Sequence, residues 1–174
     1  MFALALLLAL VWLGFALLDR RWRIEPRLRS PDESYAGERV VAVVPARNEA
    51  LELPRTLAAL LAQEHAGLSV VLVDDHSEDG TGEVARGLAA AAGAAERLTV
   101  ITPPPLPAGW AGKVWAQHHG VQQALAQKPD WIWLTDADIR HQPDVLRRLL
   151  ATARFEGRDM VSVMAALSMQ TAWE

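Results

Sequence analysis

From residue 40 onward, apolar runs of strand length alternate with longer segments whose apolar residues recur at helical spacing. That alternation restricts the chain to an α/β fold, a mostly parallel sheet with helices on both faces. Residues 40–44 form a β-branched run that should stop at Pro45, and residues 51–64 follow with Leu53, Leu57, Leu60 and Leu61 on one helical stripe. Residues 70–73 predict a second strand ending on Asp74 and Asp75, and residues 81–92 a helix whose start is signalled by Ser77, Asp79 and Gly80. A strand over 98–101, a proline-rich loop over 103–107 and a helix over 114–127 follow. Residues 131–135 read as another strand, Pro143 suits the first turn of a helix reaching residue 155, and residues 160–164 begin a further strand.

In an open parallel sheet, ligands bind beyond the carboxyl ends of the strands, so the residues that terminate strands carry the functional information. Here they are polar. The first strand leads into Arg47, Asn48 and Glu49, the second into Asp74 and Asp75, and the fourth into Asp136 and Asp138. Like charges gathered at one edge repel unless a cation or a donor compensates, and a divalent ion is the simplest compensation. Asp136 and Asp138 lie two positions apart, so an extended chain presents both on one side, and such oxygen ligands suit Mg2+ or Mn2+. An isolated Asp-x-Asp also describes a turn ahead of a helix. An acid at the end of the second strand suits a base or ribose, whereas Ser77, Asp79 and Thr81 suit helix capping and turns. Gly109-Trp110-Ala111-Gly112-Lys113 puts a lysine at the start of a helix, where ammonium and helix N-terminus both favour phosphate, although a lone lysine is ordinarily just solvated.

Several classes drop out. A net charge of -4 without a long basic block lacks the electrostatic footprint of nucleic-acid binding. The absence of cysteine excludes disulfides, thiolate nucleophiles and sulfur-based zinc sites, and the histidines fit no zinc-peptidase spacing. Val114 stands where a P-loop needs Ser or Thr, and no Gly-x-Gly-x-x-Gly follows a strand. Ahead of the body, residues 1–18 are uncharged and read as a transmembrane anchor. Arg20, Arg21 and Arg23 follow it and no basic residue precedes it, which puts the body in the cytoplasm. A cleaved signal would want a positive start and a small-x-small site. Residues 19–38, with Pro26 and Pro31, read as a basic and polar tether, leaving 39–174 as the body.

Val44-Pro45-Ala46-Arg47-Asn48-Glu49, then Asp74-Asp75-His76-Ser77-Glu78-Asp79-Gly80-Thr81, then the Gly112-Lys113 loop and Asp136-Ala137-Asp138 resemble, in that order, the family 2 glycosyltransferases of the GT-A fold. The resemblance covers residues 39–173. The N-terminal helix and residues 109–116 are more narrowly similar to the hopene-associated glycosyltransferases. The resemblance implies a Rossmann-like GT-A sheet and a metal-dependent, inverting transfer of sugar from a nucleotide diphosphate donor to a hydroxyl acceptor, with a lipid among the candidates. It implies a nucleotide-sugar site of Pro45, Ala46, Arg47, Glu49, Asp74, Asp75, Lys113, Asp136 and Ala137. Within it, Ala46, Glu49 and Asp75 would contact the nucleotide, Lys113 would lie near the diphosphate and Asp136 at ribose or phosphate. Asp138, with Asp136, would hold Mg2+ or Mn2+.

Such enzymes carry a catalytic Asp or Glu in an acceptor-binding half beyond the Asp-x-Asp strand, and processive ones a Gln-x-x-Arg-Trp motif. Neither is assignable here, so the chain reads as a front half with its catalytic base unassigned, and Glu174 is poorly placed for accurate positioning. Two other readings stay open. A sugar nucleotidyltransferase-like enzyme would want a glycine-rich phosphate loop where this chain has Pro45-Ala46-Arg47-Asn48-Glu49; a non-catalytic, membrane-tethered nucleotide-binding module would not turn over at all.

Overall fold

The computed structural model describes residues 2–18, 28–35 and 37–164. The basic cluster at 19–23, Pro26 and Glu174 lie outside the described residues. Strands β1 (Val40–Ala46), β2 (Leu68–Asp74), β3 (Leu98–Ile101) and β4 (Trp131–Leu134) form one parallel sheet in the order β3-β2-β1-β4. Helices α2 (Leu53–Leu61), α3 (Thr81–Ala91), α4 (Gly112–Ala126) and α5 (Val145–Glu156) connect and cover it.

Both faces of the sheet are buried, so β1 and β2 are apolar at consecutive rather than alternate positions. On one face Val40, Ala42, Val44, Val70 and Leu72 pack with Leu53, Leu57 and Leu60 of α2, Ala85 and Ala89 of α3, and Leu146 and Leu150 of α5. On the other face Val41, Val43, Val71 and Val73 meet Ala116 and Ala124 of α4. Helix α4 lies very close to the sheet: a Cβ on Gly120 would sit 2.4 Å from a Val43 methyl and 2.8 Å from a Val73 methyl. After β1 the chain steps outward through β2 to β3, and α4 then carries it across the opposite face to β4, on the other side of β1. The strand order therefore reverses between β1 and β4, which is where such sheets open a crevice.

Three expectations are corrected. Strand β1 does not stop at Pro45 but runs through it to Ala46. Val43 C=O accepts Thr135 N–H on the β4 side and Ala46 C=O accepts Asp75 N–H on the β2 side. By alternation Pro45 faces the β4 side beyond the last β4 pair, Val43 with Leu134, so its missing N–H costs no ladder bond. Pro143 precedes the Asp144 N-cap instead of entering the first turn of α5. Residues 160–164 form no strand, because an apolar run becomes a strand only beside a ladder partner, and β4 pairs only with β1 among the described residues.

Helix α1 (Phe2–Leu18) is apolar on all sides, and Leu4, Leu8, Trp12 and Phe15 are all exposed. Its 17 residues extend about 25 Å at about 1.5 Å each, against a hydrocarbon thickness of roughly 30 Å. Among the described residues no helix is long and apolar enough to cross a membrane. The described part of the expected tether packs on α5. Arg29 N–H donates to Thr152 Oγ1 at 3.0 Å, Arg148 donates to the carbonyls of Leu28 and Arg29 at 3.2 Å each, and the Arg29 guanidinium lies 3.3 Å from the Phe155 ring centroid. Glu38 then ties the segment to β4 and α5, accepting from the Trp131 indole and from Arg154 at 2.7 Å each.

Candidate functional site

The loop after β1 is laced to the loop after β2. Asn48 N–H donates to Ser77 Oγ at 3.0 Å, Glu49 N–H to Thr81 Oγ1 at 2.9 Å and Ala50 N–H to Asp79 Oδ2 at 2.9 Å. Glu78 N–H returns a bond to Asn48 Oδ1 at 2.9 Å. Asp79 also makes the expected local turn, accepting the N–H and hydroxyl of Thr81 at 3.0 and 2.5 Å. The sequence signals turn formation at Ser77, Asp79 and Thr81, but not that all three grip the neighbouring loop. Asn48 and His76 are held at φ values of 57° and 56°, a left-handed conformation costing about 1 kcal/mol or more for a residue with a Cβ. The lacing keeps both there.

Beyond the carboxyl ends of β1, β2 and β4 lies a cleft of about 300 Å³, lined by Pro45, Ala46, Arg47, Glu49, Asp75, Gly112, Lys113, Ala116, Asp136, Ala137 and Asp138. Its cations are Arg47 and Lys113; its carboxylates are Glu49, Asp75, Asp136 and Asp138. Lys113 Nζ lies 2.8 Å from Asp136 Oδ1, and an Arg47 guanidinium nitrogen 3.8 Å from Asp75 Oδ2. Helix α4 begins against Asp75, since a Cβ on Gly112 would be 3.3 Å from its Oδ2. Burial, and then the negative charges of Asp138, Glu52 and Asp79, hold Glu49 above its ordinary pKa. Glu49 therefore senses Asp138 across the cleft, as carboxylates sharing a site do.

Nine of the ten residues expected in the site meet in the structure. Pro45, Ala46, Arg47, Glu49, Asp75, Lys113, Asp136, Ala137 and Asp138 all line the one cleft. Asp74 does not. Its Oδ1 accepts Ser77 N–H at 3.0 Å, and its Oδ2 lies 2.8 Å from where a Cβ on Gly82 would be, so it braces the loop and the start of α3. Adjacent residues at a strand end point to opposite sides, so only one of Asp74 and Asp75 can enter the cleft. Gly112, expected only as part of the lysine loop, also joins the lining, and so does Ala116, which is not among the expected site residues. The available signal was the spacing of Ala116, Gly120 and Ala124, a small-residue stripe that lets α4 approach the sheet. Among the described residues no three His, Asp or Glu side chains form a cluster able to hold a metal by themselves.

The profile of "Glycosyl transferase family 2" matches residues 41–170. The chain is 32% identical over 144 residues to an undecaprenyl-phosphate 4-deoxy-4-formamido-L-arabinose transferase of Pseudomonas savastanoi, covering 80% of this chain and 39% of that one. It is 27% identical over 155 residues to the 4,4'-diaponeurosporenoate glycosyltransferase of Staphylococcus haemolyticus, covering 86% and 37%. Among solved structures, the mannosyltransferase PcManGT from Pyrobaculum calidifontis, in complex with GDP-Man and Mn2+, superposes with a TM-score of 0.62 at 28% identity over 87% of this chain and 43% of that one. S. aureus TarS shares the fold, with a TM-score of 0.55 at 21% identity. The chain thus spans well under half the length of these relatives. A parallel sheet with a carboxylate-rich crevice at its reversal point, matched across nearly the whole body, leaves one family: this chain belongs to glycosyl transferase family 2.

Proposed function

We propose that the cleft binds a sugar nucleotide diphosphate and that the protein transfers the sugar, with inversion, to a hydroxyl of a lipid acceptor. The observation that carries this reading is the convergence of Glu49, Asp75, Asp136, Asp138 and Lys113 on one cleft at the reversal of strand order. Glu49 and Asp75, on the two laced loops, suit the nucleoside. Lys113, in the first turn of α4, adds an ammonium to unpaired helix N–H groups, an arrangement that favours a diphosphate.

The donor set fits Mg2+ or Mn2+. These ions take one or two carboxylates and complete their shell with water and phosphate oxygens, so a ready-made cluster of three protein ligands is not required. Asp138 would hold the ion; Asp136, bridged to Lys113, would do so jointly or face ribose and phosphate. When bound, the ion offsets the charge developing on the departing diphosphate. Lys113 orients the same group, while the laced loops keep the nucleoside end fixed. The Mn2+ of the mannosyltransferase complex and the lipid names among the relatives support the metal and the acceptor class. The exposed, uniformly apolar α1 supports seating in a membrane, with the body on the cytoplasmic side of the basic flank.

The test is calorimetry with UDP and GDP, with Mn2+ and with EDTA. One of the two should bind in Mn2+ and lose most of its affinity in EDTA, and Asp138→Asn should weaken the Mn2+ arm at least tenfold. Binding indifferent to both EDTA and Asp138→Asn would overturn the metal-bridged reading.

A further inference from the structure

The loop that carries Asp136 and Asp138 leaves β4 at Leu134 and reaches α5 at Val145. Its far end is stapled to the segment just after α2: Gln63 Nε2 donates to Gln142 C=O at 2.7 Å, Glu64 N–H to Pro143 C=O at 2.9 Å, and Leu146 N–H to Gln63 Oε1 at 3.2 Å. Its near end is Thr135, 7% exposed, whose N–H donates to Val43 C=O at 3.2 Å. Between these ends one side-chain bond closes the loop on itself. Thr135 Oγ1 and His141 Nε2 share a hydrogen bond of 2.8 Å, and the imidazole packs on Trp133 with ring centroids 4.5 Å apart.

We propose that His141 is a positioning residue for the metal and diphosphate end of the cleft, closing the loop that carries Asp136 and Asp138 and so fixing where the two carboxylates sit. The space beside it is almost filled. A residual cavity of about 10 Å³, lined by Asp136, Ala137 and His141 among others, is barely the size that admits one water. The ring is therefore closely packed where it meets the loop, and removing it takes from the buried Thr135 hydroxyl the side chain that it bonds. Burial also holds His141 below its ordinary pKa, so the ring is uncharged at neutral pH and acts on the acids through geometry, not as a counter-charge. What the acids hold rests on the donor reading above; the closure of the loop does not.

Arg140, exposed inside the loop, allows the two to be separated. His141→Ala, and Thr135→Val as a variant that leaves the cleavage site unaltered, should speed tryptic cleavage after Arg140 about tenfold. Cleavage after Arg86, in α3, should not change. The same variants should weaken UDP or GDP binding about tenfold in Mn2+ and leave binding in EDTA unchanged, while His141→Gln, which keeps a donor and an acceptor, should restore most of both. Wild-type cleavage rates after Arg140 in both variants would overturn the proposal. So would an equal rise after Arg86, which would mean general loss of stability. If the wild type binds nucleotide without any metal dependence, the donor reading fails, and the protease arm still decides whether His141 orders the loop.

Discussion

Glu49 shows how the cleft loads its own acids. Its folded pKa is raised by burial and by Asp138, Glu52 and Asp79, so the folded state holds the proton more tightly than the unfolded chain does. Stability is then lost as pH rises from the ordinary value of 4.5 through the folded one. Without added cation, Glu49→Gln is expected to raise the Tm at pH 7, and the difference should vanish below pH 4.5. A scan finding no gain at pH 7 would show that the carboxylates do not strain one another. Lys113 should behave oppositely, as a binding residue with little structural role. Its bridge to Asp136 joins side chains 58% and 42% exposed, and such pairs contribute about 0–1 kcal/mol. Lys113→Ala should therefore shift the Tm by no more than about 3 °C, yet lower nucleoside diphosphate affinity in calorimetry, because phosphate loses its ammonium partner.

At the level of elements, α4 sets the floor of the cleft by its closeness to the sheet. Gly120→Ala would gain up to about 1 kcal/mol in helix propensity. Against this, its Cβ would meet Val43 and Val73 at 2.4 and 2.8 Å, and overpacking of that kind costs about 1–3 kcal/mol. The clash wins, so urea unfolding should show a lower midpoint at an unchanged slope; a higher midpoint would mean that α4 can lift without cost. The same closeness explains why Gly112 and Ala116 reach the cleft: only small side chains let the helix start so near Asp75. Element boundaries followed the hydrophobic pattern closely at β3 and less so at β1, where the pattern could not reveal which side Pro45 faces.

For the whole molecule, the two core clusters draw, among the described residues, on Tyr35 and residues after it. Removing residues 1–18 should therefore leave the unfolding transition of the body within about 2 °C, since the described side chains of α1 are exposed and enter neither cluster. If α1 seats in a membrane, the same truncation should move the protein to the soluble fraction; a truncated protein that still sediments with membranes would refute that role for α1. The sequence by itself determined the parallel α/β class, the helical stripes and the acids at the strand ends, because periodicity and local propensity are properties of neighbours along the chain. Only the tertiary structure decided that Asp75 and not Asp74 enters the cleft, that Lys113 bridges to Asp136, that the two loops are laced, and that His141 closes on Thr135. Those facts depend on strand order and on how closely α4 approaches the sheet, which are set by packing between segments far apart in sequence.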